Sequence, residues 1–364
     1  MPRQNLHDKP FDESTKDKLD LYREYLREWL PVFMHLPFVD TIQIFDFFAG
    51  PGADLAGNPG SPVITCDEVR SALLAGKDQQ PKIKAYFNEY KEDKYRELSA
   101  RIDRQRDSLP QVKFTTMQND FHSAFWQWEL LMHGKTANLL FLDQSGVQHI
   151  TKPIFQTIVQ LPRTDFIFFI SSAMVNRFKN LPEIRTHVPI AEEDLSQMNG
   201  DNVHRIVAKA YSRWIPDRLE YYLGSYSIKK GANVYGLVFG SHHPLGIDKF
   251  LTVAWKLGGE ANFDIDKDGI DPNQPSLFPE YDIPQKISGF EKELEAAILE
   301  RRVSTNKDVY IFALQNGVLS KHAKNAINRM IKAGKLPPQS LHVTYDAWKK
   351  SSVETIQYFE GMQQ

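Results

Sequence analysis

The sequence predicts an α/β protein: a doubly wound, mostly parallel sheet followed by a smaller, helical C-terminal unit. Three observations carry the prediction. Apolar and β-branched runs alternate with helix-patterned polar sequence through the centre of the chain, the rhythm of a parallel sheet covered on both faces. The first run, Ile42 to Phe48, passes through Asp46 and then breaks into Gly50-Pro51-Gly52, as a strand does where it delivers backbone to a ligand. Beyond a proline-rich stretch the charge balance changes: residues 301–350 hold ten lysines and arginines against Asp308 and Asp346.

Taken in order, residues 1–40 are expected to supply an amphipathic helix packed on the core. Leu19, Tyr22, Leu26, Leu30 and Phe33 recur at helical spacing, and Pro31 is expected to kink or end the helix. The strands expected are Thr41–Phe48, Lys82–Asn88, Val112–Met117, Ala137–Leu142 and Asp165–Ser171, with Val234–Gly240 as a sixth. Residues 176–230 read as an insertion near the open end of the sheet, with a helix patterned by Val203, Ile206, Val207, Ala210, Tyr211 and Trp214. The sheet domain then spans 41–258 and a linker 259–286. Within that linker, residues 264–269 begin like a calcium loop. The twelfth ligand position is Pro275, where a bidentate carboxylate is needed, so an Asp-rich turn is expected instead.

Residues 287–364 are expected to form a winged-helix or helix-turn-helix-like domain. A helix over Lys307–Gln315, a turn at Asn316-Gly317, a second helix capped by Ser320 and running to Ala333, and a wing strand at 341–345 make up the pattern. Lys321, Lys324 and Arg329 on the second helix are candidate nucleic-acid contacts. A small helical cap with a solvated lysine face explains the same charges. The formal net charge of −2 leaves room only for a local polyanion-binding patch. One cysteine, Cys66, excludes an internal disulfide and fits a reducing, cytoplasmic setting. Neither a signal core nor a membrane-length apolar run is legible. His242-His243 has no metal-ligand spacing, so no metal site is expected.

The candidate site lies where the strands stop, since ligands of doubly wound sheets bind outside the carboxyl ends. The ends read Asp46 and the glycine turn, Asn88-Glu89, Asn119-Asp120, and Asp143-Gln144-Ser145-Gly146. An acidic rim disfavours a triphosphate, and neither phosphate-binding glycine motif is complete. A cofactor with a positive centre, such as S-adenosylmethionine, suits it better. A carboxylate after the second strand can accept ribose hydroxyls, and one after the third can accept an adenine amino group. Each residue also has a local explanation: Glu89 capping a helix over Tyr90–Ser99, Asp120 capping the next helix, Asp143 closing a turn. Arg177, after the fifth strand, is a candidate phosphate contact or a loop salt bridge.

Leu26 and Trp29, Asp46-Phe47-Phe48-Ala49-Gly50-Pro51-Gly52, Gly60-Ser61-Pro62, Asn88-Glu89, Phe141-Leu142-Asp143 and Leu237-Val238-Phe239-Gly240 together resemble the three-Cys-motif partner (TcmP) family over most of residues 13–255. The resemblance implies a Rossmann-like, S-adenosylmethionine-methyltransferase-type fold, a bacterial protein, and a three-Cys-motif protein as partner. It implies that Asp46, Phe48, Gly50, Gly52, Glu89 and Asp120 bind the cofactor: Asp46 and the glycines at the methionine end, Glu89 at the ribose, Asp120 at the adenine. The first motif also resembles that of adenine-N6 methyltransferases acting on ribosomal RNA. The fourth motif departs from the family's Asp-Pro-aromatic-Gly. Asp143-Gln144-Ser145-Gly146 lacks the stacking ring and the proline-stiffened turn, which argues against amino methylation. Asp143 is left as an orienting group or base, with Gln144 and Ser145 as hydrogen-bonding partners of an extruded base. The expected function is methylation of nucleic acid or a nucleic-acid-associated target. The alternative is a catalytically inactive Rossmann module that binds nucleic acid or a partner protein in a modification or defence system.

Overall fold

In a computed structural model of the protein the described residues are 10–76, 81–143, 149–170, 190–198, 203–230, 233–258, 285–350 and 353–359. Helix α1 (Glu13–Met34) starts at Asp12, whose carboxylate accepts the Thr15 N–H. Of the two expected outcomes, a kink or an end, Pro31 does not end the helix, which runs on to Met34. It removes one hydrogen bond close to the last turn, and buried Leu30 and Met34 hold that turn on the core.

Strands β1 (Thr41–Asp46), β2 (Lys82–Asn88), β3 (Val112–Met117), β4 (Thr136–Leu142), β5 (Thr164–Ile170), β6 (Tyr222–Lys230) and β7 (Asn233–Ser241) form one sheet in the order β3-β2-β1-β4-β5-β7-β6. Pairing is parallel from β3 through β5, and β7 is antiparallel to both its neighbours. The doubly wound, mostly parallel α/β architecture is therefore as expected. The edge strand β6 is the difference, because its residues were assigned to the insertion. Its sequence, Tyr-Leu-Gly-Ser-Tyr-Ser-Ile-Lys-Lys, carries too few apolar residues to read as a buried strand, and its pairing with β7 supplies what composition does not.

Strand alternation divides the interior in two. Ile42, Ile44, Ile83, Ala85, Phe87, Leu139 and Phe141 face one core, with α1, α2 (Ser61–Ala75), α3 (Glu92–Ser108) and a late helix over Pro244–Gly258. Phe45, Phe47, Tyr86, Leu140, Phe166 and Phe168 face the other, with α4 (Phe121–Glu129), α5 (Lys152–Ile158), α6 (Glu192–Gln197) and α7 (Val203–Ser212). Pro244–Gly258 is α8. Cys66 lies buried on α2, where desolvation pushes its thiol up to about 12.

The C-terminal unit comprises α9 (Gln285–Leu299), α10 (Asn306–Gln315), α11 (Ser320–Lys332) and α12 (Tyr345–Lys349). Thr305 and Asp308 form a capping box at the start of α10. The turn to α11 uses Gly317 at φ 68°, as the helix-turn-helix pattern requires. Two local expectations are corrected. Ser320 is the first helical residue, and Leu319, the cap position, contributes no side-chain bond. The expected wing strand at 341–345 does not form: Leu341 and Val343 are buried, and Thr344 caps α12 by accepting the Ala347 N–H. This unit shares the α1-side core. Trp255 Nε1 donates to the Gly317 carbonyl (3.1 Å) and Tyr310 Oη donates to Asp248 (2.7 Å).

Candidate functional site

The carboxyl ends of β1 to β4 open on a crevice built around the glycine turn. Gly50 and Gly52 have φ of 61° and 87°, values a side chain would strain. The turn is fastened on both sides. The Gly50 N–H donates to Glu89 Oε2 (3.0 Å), and the Gly60 N–H donates to the Gly52 carbonyl (2.9 Å) at the start of α2. A Cβ on Gly60 would come within 3.1 Å of that carbonyl, so the close approach needs glycine. Behind it, Asp54 accepts from the Phe11, Ala56 and Asn58 N–H groups and from Asn58 Nδ2, which orders the following loop.

Each rim carboxylate has a distinct environment. Asp46 is fully buried on the α1 side; Oδ1 accepts the Phe48 N–H (3.1 Å), and Oδ2 has no protein partner. Burial raises its carboxyl to about 7; Ser61 and Phe48 act against the rise, and the charges of Asp143 and Glu89 add to it. Glu89 uses its second oxygen to accept the Lys91 N–H (2.8 Å), just ahead of α3. Helix α3 begins at Glu92 with Lys91 as its cap, two residues later than the expected helix over Tyr90–Ser99, so Glu89 is not its cap. Asp120 does cap α4, accepting the Ser123 N–H, and hydrogen bonds from the Ser123 side chain and backbone hold its carboxyl low.

Phe48, Glu89 and Asp120 line one cavity of about 250 Å³ with Phe47, Asn88, Tyr90, Phe121 and His149. Phe48 and Phe121 stack with ring centroids 5.3 Å apart, and the His149 ring lies 5.3 Å from Phe48, giving the cavity an aromatic wall. Asp143 stands at the end of β4, two residues beyond Phe141, which is in register with Asp46. Both its oxygens lie 2.7 Å from Lys18 Nζ of α1. Gln144, Ser145 and Arg177 lie outside the described residues.

Sequence reasoning missed Lys18, Phe121 and His149. Lys18 had a signal: with Tyr22, Tyr25 and Trp29 it completes one helical stripe, a lone cation in an otherwise aromatic series. On α11, Lys321, Lys324 and Arg329 are all exposed, and Arg329 is paired with Glu291 of α9. A larger cleft of about 620 Å³ opens between α7, β6 and α9. It lies away from the strand ends, and Lys209 on its wall is already paired with Asp194 (2.8 Å), so the crevice is the better candidate. Among the described residues no three His, Cys, Asp or Glu side chains are grouped to hold a metal ion.

Residues 264–340 match a family described as "GMT-like wHTH domain". The C-terminal unit is thus a winged-helix-type domain. No curated protein matches the chain. Among solved structures, the chain is similar to an O-methyltransferase from Bacillus cereus in complex with SAH, at 12% identity over 65% of this chain and 83% of that one, with a TM-score of 0.34. It is also similar to the O-methyltransferase TomG from Streptomyces achromogenes in complex with SAM, at 10% identity over 63% and 89%, TM-score 0.33. Spermidine synthase from Thermotoga maritima aligns at 13% identity over 72% and 68%, TM-score 0.31. These likenesses are loose in superposition, and the chemistry of the crevice is read from its own residues.

Proposed function

We propose that the protein is an S-adenosylmethionine-dependent methyltransferase of TcmP type, acting on nucleic acid or a nucleic-acid-associated target in a reducing cytoplasm. One observation carries the reading: Phe48, Glu89 and Asp120 converge on a single cavity beside a glycine turn that Glu89 itself holds in place. The residues fit the cofactor. Gly50 and Gly52 leave the turn free of Cβ atoms, the aromatic wall suits a purine, and Glu89 and Asp120 suit hydroxyl and amino donors.

When bound, S-adenosylmethionine supplies an electrophilic methyl group on a sulfonium. The chain's own part is positional: the glycine turn and Glu89 orient the cofactor, the aromatic rings exclude water, and Asp143 meets the acceptor with Gln144 and Ser145 beside it. Lys321, Lys324 and Arg329 of α11, with Arg177, would hold the polymer by its phosphates. A three-Cys-motif protein is the expected partner.

One observation favours the second reading, a module without catalysis: Asp143 is already occupied by an ion pair with Lys18. Calorimetric titration with S-adenosylmethionine and with S-adenosylhomocysteine decides between them. Micromolar binding supports the methyltransferase reading, and no binding by the folded protein supports the module. For the polymer, changing Lys321 and Lys324 to Glu is expected to weaken nucleic-acid binding most at low salt. A salt-independent affinity would point to a protein target instead.

A further inference from the structure

Helix α1 carries a stripe of Lys18, Tyr22, Tyr25 and Trp29 across the face of the sheet, from Asp143 just beyond the carboxyl end of β4 to Asp165 near the start of β5. The three aromatic members are anchored. Tyr22 Oη is 2.7 Å from Thr65 Oγ1 on α2, and Tyr25 Oη and Trp29 Nε1 both donate to Asp165 Oδ2, at 2.9 and 3.0 Å. A helix held at three successive positions delivers the fourth with little freedom. Lys18 Nζ therefore arrives between both oxygens of Asp143, with the Phe169 ring 5.0 Å behind it. The ammonium is 16% exposed and the carboxylate 30%, so the pair is only partly screened by water.

The charge has a second neighbourhood. Asp46 faces the α1 side with its even-numbered neighbours of β1, Asp143 meets that side through Lys18 of α1, and the charges of Asp143 and Glu89 both act on Asp46, so the three carboxylates share one neighbourhood. Asp46 and Glu89 accept backbone N–H groups, which are neutral donors; Asp143 accepts an ammonium. Among the described residues Lys18 is the cation paired within this group; Glu89, Asp143 and the part charge that Asp46 keeps, with its carboxyl raised to about 7, leave the site negative, and Lys18 sets how negative.

Resting on the methyltransferase reading, we infer that Lys18 is the internal counter-ion of the crevice and sets its preference between the cationic cofactor and its neutral demethylated product. S-adenosylmethionine carries one positive charge more than S-adenosylhomocysteine. The two otherwise share their contacts, so the ratio of their affinities isolates the local electrostatics. Lys18 neutralises Asp143 and so tempers the attraction for the cation, which keeps the product competitive with the substrate. It acts through Asp143 and is a positioning residue.

The test is calorimetric titration of the full chain with S-adenosylmethionine and S-adenosylhomocysteine, for the wild type, Lys18→Met, Lys18→Arg and Asp143→Asn. Lys18→Met is expected to raise the preference for S-adenosylmethionine by about threefold to tenfold, the range for a partly exposed charge one or two side chains away. Lys18→Arg is expected to restore the wild-type ratio. Asp143→Asn leaves the ammonium uncompensated and is expected to move the ratio the other way. If both ligands bind and the ratio is the same in all four proteins, the counter-ion role is overturned while the methyltransferase reading stands. If neither ligand binds the folded wild type, the reading itself fails. Should Lys18→Met not fold, Asp143→Asn alone still decides the sign.

Discussion

At the scale of single residues, burial rather than partnership sets the behaviour of the carboxylates of Asp46 and Asp165. Asp165 accepts from Tyr25 and Trp29, yet desolvation outweighs these bonds and raises its carboxyl to about 6. A raised carboxyl favours the fold while protonated. Its contribution is fully present below the unfolded value, near 4, and is lost as the pH climbs through about 6. The wild type should therefore lose stability between about pH 4 and 7, and Asp165→Asn should gain on it by roughly 3 kcal/mol across that range. Chemical denaturation at a series of pH values measures this, and a difference that is flat with pH would refute it. Glu89 poses another residue-scale question, because it both holds Gly50 and faces the cavity. Glu89→Ala is expected to weaken cofactor binding by about 1–3 kcal/mol. Glu89→Gln keeps an acceptor for the Gly50 N–H, so whatever binding it loses reports the charge alone; wild-type affinity in Glu89→Gln would count against a ribose role. The rim carboxylates were legible in the sequence because they sit at strand ends, where position and chemistry coincide. Lys18 and His149 lie outside the strand-end series: the helical stripe of α1 marks Lys18 as its lone cation, but only the packing of α1 shows that it meets Asp143, and nothing at a strand end marks His149.

At the scale of elements, the helices differ in what fixes them. Helix α10 depends on its capping box, and Thr305→Ala is expected to cost about 0.5–2 kcal/mol, read as a lowered thermal midpoint. Helix α1 depends on tertiary anchors. Tyr25→Phe removes a donor from a buried carboxylate and is expected to cost about 1–3 kcal/mol, with Asp165→Asn in the same chain recovering part of the loss. Additive effects in that double variant would show that the two groups do not interact. Strands β1, β4 and β5 were readable because both their faces are buried, and β2 and β3, nearer the edge, by β-branched and aromatic residues between turn signals. Strand β6 hid behind its polar edge composition, and the expected wing at 341–345 failed because Thr344 makes a better helix cap than a strand residue.

For the whole molecule, the continuous core on the α1 side ties the winged-helix unit to the sheet. Trp255, Tyr310 and the residues around Gly317 bridge the two through buried contacts, so the chain is expected to unfold in one transition, with calorimetric and van't Hoff enthalpies in agreement. Two resolved transitions would mean that the interface yields before either unit. The expected linker at 259–286 falls almost wholly outside the described residues, but what flanks it is firmly joined: α8 packs against α10. Among the described residues no helix is long and apolar enough to cross a membrane.

Cys66 gives this architecture a practical property. The chain has a single sulfhydryl, buried on the core face of α2 and held in its unreactive, protonated form. A thiol-directed dye should therefore leave the native protein dark and label it only when α2 lifts, so the labelling rate becomes a clock for opening beside the crevice. A cysteine engineered on the surface of α11 would be the sole bright position, and a fluorophore there could follow nucleic acid arriving without any background to subtract.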